Sequence, residues 1–217
     1  MNKQLAKYWE NKLNRYSKQD WINKPSIFAK QVIKYFPQTG KILDIGAGQG
    51  QDSLYFAGKN YKVTAIDLSN FGLSSLQEKA NKNNLNIKIK QIDLSSNNLP
   101  FKDNSFEIVY SHMSLHYFNT QRTKEIFIDI NRILKKGGLF VSLFNNEDDP
   151  EKNTSSYLKL EENFYQTKEG LQKRYFDLKF LEKITKSFFN PVVMDKKGET
   201  YKDEINSLIR FIGRKIK

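Results

Sequence analysis

The sequence predicts an α/β fold, a mostly parallel sheet flanked by helices with an antiparallel strand at its C-terminal edge. Three observations carry this prediction. Short apolar runs alternate with segments of helical period through residues 26 to 144, the pattern of a parallel sheet covered on both faces. Gly46, Gly48 and Gly50 form a turn directly after the apolar run KILDI. Asp67 closes the next apolar run, 21 residues beyond Gly46.

Taken in order, Leu5, Tyr8, Trp9, Leu13 and Tyr16 give the first segment one apolar helical face, which Trp21 and Pro25 interrupt. A second helix is expected from Ser26 to about Tyr35, with Phe28, Val32 and Ile33 turned inward. KILDIGAGQGQDSLYFAGKN reads as strand, glycine-rich turn and a short helix ending near Gly58. YKVTAIDLS is the next strand, and the helix after it, roughly Leu73 to Lys82, stops at Asn83 and Asn84. Ile87 to Ile92 and SFEIVYSHM supply the third and fourth strands. A periodic helix over Thr120 to Lys136 buries Ile126, Ile130, Ile133 and Leu134 and ends at Gly137 and Gly138, before the strand GLFVSLF. Beyond it come an acidic loop from Asn145 to about Asn153, a segment around Tyr157 to Phe164, the stretch KRYFD and a helix ending near Phe189. Two last strands, near Pro191 to Asp195 and Ser207 to Ile212, would form the antiparallel edge.

Composition narrows the chemistry. The 217 residues suit one domain, and 38% apolar with 28% charged residues is a soluble, globular balance. No apolar run approaches the roughly 18 residues of a membrane span, and the start MNKQLAKYWE carries no cleavable leader, so a cytoplasmic location is expected. Cys is absent, which excludes disulfides, thiolate metal ligands and cysteine nucleophiles. With two His there is no His-rich metal cluster, and no metal site is expected, although carboxylate ligation stays open. The net charge of +12 would draw phosphate- or carboxylate-bearing partners, but the lysines are scattered along the chain. A basic solvated surface is therefore favoured over a nucleic-acid footprint.

The glycine turn lets the backbone turn sharply and approach a ligand without a Cβ in the way. Asp67, at the end of the second strand, can accept both hydroxyl protons of a ribose. Together they point to a nucleoside-containing cofactor; a structural turn plus a capping Asp is the plainer alternative. A dinucleotide fingerprint would place its third glycine one residue later, where this chain has Gln51, and the Lys and Ser or Thr of a phosphate-gripping loop are missing.

LDIGAGQG, AIDLS, IDLSSNNLPF, FEIVYSHMSLHYF and the helix ending ILKKGG, in that order, resemble the class I S-adenosylmethionine-dependent methyltransferase family, with its Rossmann-like fold. The SLHYF segment and the YF pair at Phe176 are most similar to small-molecule methyltransferases of the tellurite-resistance type. The resemblance implies S-adenosyl-L-methionine as cofactor. Asp44 and the backbone of Gly46 and Gly48 would line its methionine and sugar portions, with Ala47 and Gly50 completing the turn. Asp67 would grip the ribose, Leu68 would lie against adenine, and Asp93 would accept from the adenine amino group beside Ile92 and Leu94. Tyr110 and Ser111, at the end of the fourth strand, join the cofactor set, although Asp44 and Asp93 could equally be turn or cap residues.

The sulfonium methyl group is already electrophilic, so the protein has to align it with the acceptor and exclude water. His112 is the candidate base for the acceptor's proton, with orientation of substrate or support of the loop as alternatives. His116 and Tyr117 are either packed residues or contacts to substrate. Tyr8, Trp9, Trp21, Tyr175 and Phe176 are candidates for the acceptor pocket, with core packing as the competing reading. Residues 1–25 would then serve as a lid or connector and 145–190 as an acceptor-side insertion. The basic pair Lys173 and Arg174 reads as a solvated face, or as a contact to an anionic substrate.

The Asn or Asp followed by Pro-Pro-aromatic that marks amino-group methylases of adenine and cytosine is absent. The expected activity is methyl transfer to a small-molecule oxygen, nitrogen or sulfur nucleophile. An RNA or protein methyltransferase and a non-catalytic cofactor-binding protein are the alternatives.

Overall fold

A computed structural model describes residues 3–95, 98–201 and 208–216. The elements follow the alternation in the sequence. They are α1 (Lys3–Tyr16), α2 (Ile27–Val32) with a tight turn over Ile33–Tyr35, β1 (Lys41–Ile45), α3 (Gln51–Gly58), β2 (Lys62–Asp67), α4 (Asn70–Lys82), β3 (Lys88–Gln91), β4 (Phe106–His112), α5 (Thr120–Ile133) and β5 (Leu134–Asn145). After these come β6 (Leu158–Glu161), β7 (Phe164–Gln166), β8 (Gln172–Arg174), α6 (Leu178–Thr185), β9 (Phe189–Gly198) and β10 (Leu208–Lys215).

Seven strands form one sheet in the order β3-β2-β1-β4-β5-β10-β9, the first five parallel. β10 runs antiparallel to both β5 and β9, so the reversed strand lies one place in from the edge. In register Ile45 sits beside Ile66 and Ser111, and Asp67 beside Gln91. The carboxyl ends of β1 to β4 therefore share one rim of the sheet, where open parallel sheets hold their ligands.

Side chains alternate across the sheet, as the period of two in a strand requires. Leu43, Ile45, Val109 and Phe140 pack on one face with Ile126, Phe127 and Ile130 of α5. Ile42, Ile108, Tyr110 and Val141 pack on the other with Phe28 of α2, Phe56 of α3 and Leu76 of α4. Both faces are thus covered, which makes the strands near-continuous apolar runs.

Several boundaries differ from the sequence expectation. α4 begins at Asn70, three residues early, because the Ser69 hydroxyl accepts from Gly72 N and caps the helix. α5 stops at Ile133 instead of running to the glycine pair: Leu134 is already extended and pairs with Phe106, while Lys135 ion-pairs with Glu107 of β4. α6 stops at Thr185, and β9 is longer than expected. The sheet β6-β7-β8 leaves no pattern in the sequence, since its runs of three or four residues are too short to show alternation. Among the described residues no helix is long and apolar enough to cross a membrane.

Arg174 corrects the reading of a solvated basic pair. Its side chain is 2% exposed, ion-paired to Glu161 at 2.7 Å, and it donates to Phe118 O at 3.1 Å and Thr120 Oγ1 at 3.0 Å. Its guanidinium lies 4.9 Å from the Phe164 ring and 5.1 Å from that of Phe180. Arg174 therefore fastens the small sheet to the segment between β4 and α5. Arg174→Met, which keeps the apolar stem, should destabilise the fold by about 3 kcal/mol. Lys173→Met next to it should cost under about 1 kcal/mol, and urea titration of both variants measures the contrast.

Candidate functional site

β1 ends in the glycine turn. Gly46 has φ +72°, and a Cβ there would lie 2.2 Å from Ser114 Cβ, so only glycine fits. Gly46 N and Ala47 N donate to Ile66 O at 2.8 and 3.0 Å, binding the turn to β2. The Asp67 carboxylate, beside it, accepts Gly48 N at 2.8 Å on one oxygen and Ser69 N at 2.7 Å on the other. Leu68 N–H also acts on this carboxylate, and a carboxylate has about four lone-pair sites, so acceptor capacity remains beyond these three donors. Burial pushes this carboxyl up, against the lowering by its backbone N–H donors, and no described cation lies within ion-pair distance of it.

After β3, Ile92 N donates to Asp67 O at 2.9 Å and brings Asp93 to the same rim. Asp93 Oδ1 accepts both the backbone N and the hydroxyl of Ser95. At the end of β4, Met113 takes φ +56°, a conformation disfavoured for a side-chain-bearing residue and common at functional sites. Ser114 then donates to Ile45 O at 2.6 Å and pairs with the Ser111 hydroxyl at 2.7 Å.

His112 lies between Phe28, stacked at 6.4 Å, and Tyr201, edge-on at 5.3 Å. Its Nε2 is buried and has no hydrogen-bond partner among the described residues. Burial, which favours the neutral imidazole, lowers its pKa and outweighs the opposing pull of Asp52. His116 is 1% exposed, with an unpartnered Nδ1. Burial first, then the charges of Lys173 and Lys12, push it well below the ordinary range.

These elements enclose a cavity of about 530 Å³, within the roughly 300–1,000 Å³ of small-molecule sites. Of the residues expected from sequence, Gly46, Ala47, Gly48, Asp67 and Leu68 form its wall. So do Ile92, Asp93 and Leu94 on one side, and His112, His116 and Tyr117 on another. Trp9 of α1 and Trp21 close over them, Trp9 edge-on to Tyr117 at 5.0 Å.

The others are not in the wall. Gly50 caps α3 with φ +78°, and a Cβ there would meet Leu76 at 2.1 Å, so it serves packing. Tyr110 is two residues before His112 on the same face, deeper, with its hydroxyl donating to Asp52 at 2.7 Å. Ser111 faces the opposite way, under Ser114. Asp44 is buried beneath the turn, accepting from Ser53 Oγ at 2.6 Å, and burial raises its carboxyl to about 8. Phe176 packs on Phe144 at 4.4 Å, Tyr175 meets Tyr165 at 6.0 Å, and Tyr8 lies edge-on to Trp9.

The wall also contains residues that sequence reasoning did not select: Lys12, Leu13, Gln49, Ser114, Asn145 and Tyr201. Gln49 Nε2 donates to Leu13 O at 2.6 Å, locking α1 onto the glycine turn. Tyr201 stacks on Trp21 at 4.4 Å, and Ile27 N donates to Thr200 O. Only Lys12 left a signal, as a cation on the aromatic face of α1.

Residues 42–138 match the methyltransferase domain family. The chain is 28% identical over 144 residues to the probable S-adenosyl-L-methionine-dependent methyltransferase TehB of Haemophilus influenzae, covering 65% of this chain and 47% of that protein. It is 34% identical over 115 residues to the sarcosine/dimethylglycine N-methyltransferase of Aphanothece halophytica, covering 50% of this chain and 39% of that one. The chain thus spans less than half the length of these curated relatives. Among solved structures, the 1,6-didemethyltoxoflavin-N1-methyltransferase of Burkholderia thailandensis shares the fold, with a TM-score of 0.74 at 16% identity over 98% of this chain and 86% of that one.

Asp44 gives a pH signature. Between its ordinary pKa of 3.8 and about 8, the folded chain keeps a proton that the unfolded chain releases. Folded protein binds more protons there, so stability falls as pH rises through that window. Asp44→Asn should therefore gain stability over the native chain by up to about 1.4 kcal/mol per pH unit, levelling off above the folded pKa. Urea titrations across the window check this, and parallel pH curves for the two proteins would place the carboxyl at an ordinary pKa.

Proposed function

We propose that this chain, whose place in the class I S-adenosylmethionine-dependent methyltransferase family is supported by the domain match and the strand order, transfers a methyl group from S-adenosylmethionine to a small-molecule nucleophile by direct displacement. The observation that carries the reading is Asp67: a carboxylate in the cavity wall, fixed by backbone N–H groups of Gly48, Leu68 and Ser69, with acceptor capacity beyond those three donors and no described cation to use it. That arrangement suits the vicinal hydroxyls of a ribose.

The surrounding residues fit the rest of the cofactor. Leu68, Ile92 and Leu94 offer apolar surface for adenine, and Asp93 a polar edge. The backbone of Gly46 and Gly48 lines the cavity where the methionine portion would lie. Bound there, S-adenosylmethionine would supply an electrophilic methyl group. Trp9, Trp21 and Tyr201 shield the cavity from water, and their faces suit a sulfonium charge. His112 lines the same cavity, with its Nε2 buried and unpartnered, and its imidazole is the group there that can take the acceptor's proton or orient the acceptor.

The aromatic cover favours a small acceptor over a polymer. Among the relatives, names refer to sarcosine and dimethylglycine and to 1,6-didemethyltoxoflavin, all small molecules.

Calorimetry with S-adenosylmethionine and S-adenosylhomocysteine, repeated with chelator, should give saturable binding; absence of heat with both would sink the reading. Asp67→Ala should weaken that binding roughly tenfold to a hundredfold, the value of a hydrogen bond to a charged group. Turnover is measured with methyl-labelled cofactor and a metabolite extract as acceptor pool. There His112→Ala should lower the rate by about 100-fold to 10,000-fold if His112 is the base, with cofactor affinity little changed. Because burial lowers the His112 pKa, the acidic limb of the native rate profile should fall below the ordinary histidine value of about 6.5. A large rate loss with the acidic limb unchanged would assign His112 to positioning.

A further inference from the structure

Resting on the methyl-transfer reading above, we infer that Lys12 and Lys173 form an anion-binding end of the cavity, and that the methyl acceptor carries a carboxylate held there. The two lysines come from α1 and β8, far apart in sequence, and meet in one wall. Neither belongs to the nucleoside end, where the charged groups are the carboxylates Asp67 and Asp93. Lys173 is placed by its neighbour: Arg174 N donates to His116 O at 2.7 Å, so β8 docks against the segment that follows β4, on the side of the proposed acceptor.

Lys12 is the lysine of the two without a carboxylate partner among the described residues. Its Nζ reaches the Tyr8 hydroxyl at 3.3 Å and faces the rings of Tyr8, Trp9 and Tyr16 at 5.5, 5.2 and 5.9 Å. Ring faces and a hydroxyl attract an ammonium but carry no formal negative charge. No described carboxylate lies within 4.0 Å of it. Burial acts against this charge, but Tyr16 and Tyr8 outweigh it and hold Lys12 protonated, leaving a cation in the wall with no carboxylate partner among the described residues for a ligand carboxylate to meet.

Lys173 does have a carboxylate partner, Glu151, which also accepts the Tyr157 hydroxyl at 2.8 Å. Burial acts to raise the Glu151 carboxyl, but the hydrogen bonds from Lys173 and Tyr157 and the charges of Lys173 and Lys12 bring it below its ordinary value. Glu151 is therefore ionised near neutrality and offsets one of the two lysines. One positive charge is left over, which matches a carboxylate better than a phosphate monoester carrying between one and two charges. The depressed pKa of His116, which both lysines help to lower, reports the same positive potential inside the wall.

Trp9 and Trp21 are the two tryptophans of the chain and both line the cavity, so tryptophan fluorescence reads its occupancy. With S-adenosylhomocysteine saturating, the protein is titrated with acetate, 3-hydroxybutyrate, phenylacetate and 4-hydroxyphenylacetate, each beside its primary amide, at constant ionic strength. At least one acid should bind about tenfold or more tighter than its amide, as expected for a charge-assisted hydrogen bond. The double variant Lys12→Met, Lys173→Met should lose that preference, while Lys12→Arg with Lys173→Arg keeps it. Thermal melts of each variant establish that it is folded. Equal binding of acid and amide in every pair would overturn the inference. It would equally fall if the Met variant lost affinity for S-adenosylhomocysteine but not for 5′-methylthioadenosine, since the lysines would then hold the cofactor's own carboxylate. Failure of S-adenosylhomocysteine to bind the native protein is a separate result, and removes the methyl-transfer reading itself.

Discussion

The Asp67 carboxylate accepts backbone N–H groups from Gly48 and Ser69, while the carbonyl of the same residue accepts Ile92 N. One residue thereby sets the relative positions of the glycine turn after β1, the start of α4 and the chain leaving β3. The remaining wall is built outward from this junction. Gly46 can touch Ser114 only because the turn is held against β2, and α1 can lie over the turn only because Gln49 projects from it to Leu13. The carboxylate that organises the backbone also lines the cavity, so a change at Asp67 alters the shape of the wall as well as its chemistry.

Below the cavity the protein buries polar groups in a way that steadies the β4 end. Asp52 accepts Ser26 N at 2.7 Å, the Ser26 hydroxyl at 2.8 Å and the Tyr110 hydroxyl at 2.7 Å. Three donors offset much of the cost of removing a carboxylate from water. Because Ser26 also caps α2 by accepting Ala29 N, the network fixes the helix that carries Phe28, and Phe28 stacks on His112. The orientation of the imidazole is thus set two contacts away from it. Asp44 takes the other route available to a buried acid, retaining its proton under the glycine turn.

Much of this was legible in the sequence, and the illegible parts share a cause. The alternation of strands and helices, the glycine turn and the positions of Asp67 and His112 at strand ends follow from local patterns: apolar period, a turn that needs glycine, and polar residues closing apolar runs. The end of α5 did not follow, because Leu134 fits a helical period but is captured by pairing with Phe106 in a distant strand. Tyr110, Tyr175 and Phe176 are aromatic and near the right strand ends, yet their depth beneath the wall depends on packing partners that no local pattern encodes. Tyr201 and Lys12 enter the wall through contacts between opposite ends of the chain. Lys173 and Arg174 are adjacent and chemically alike, but in β8 neighbours point to opposite faces, sending one to the cavity and the other into a buried ion pair.

The antiparallel insertion of β10 bears on how the molecule is assembled. β10 follows every other strand in sequence, yet it occupies an interior position between β5 and β9. Until those residues leave the ribosome, β5 has a full edge of unpaired N–H and C=O groups, the kind of edge that recruits foreign strands. Since Tyr201 lies on the connection between β9 and β10, the same late step that seals the edge also brings one wall of the cavity into place. A chain interrupted before this step would have its glycine turn and Asp67 already made, but no finished pocket in which to use them.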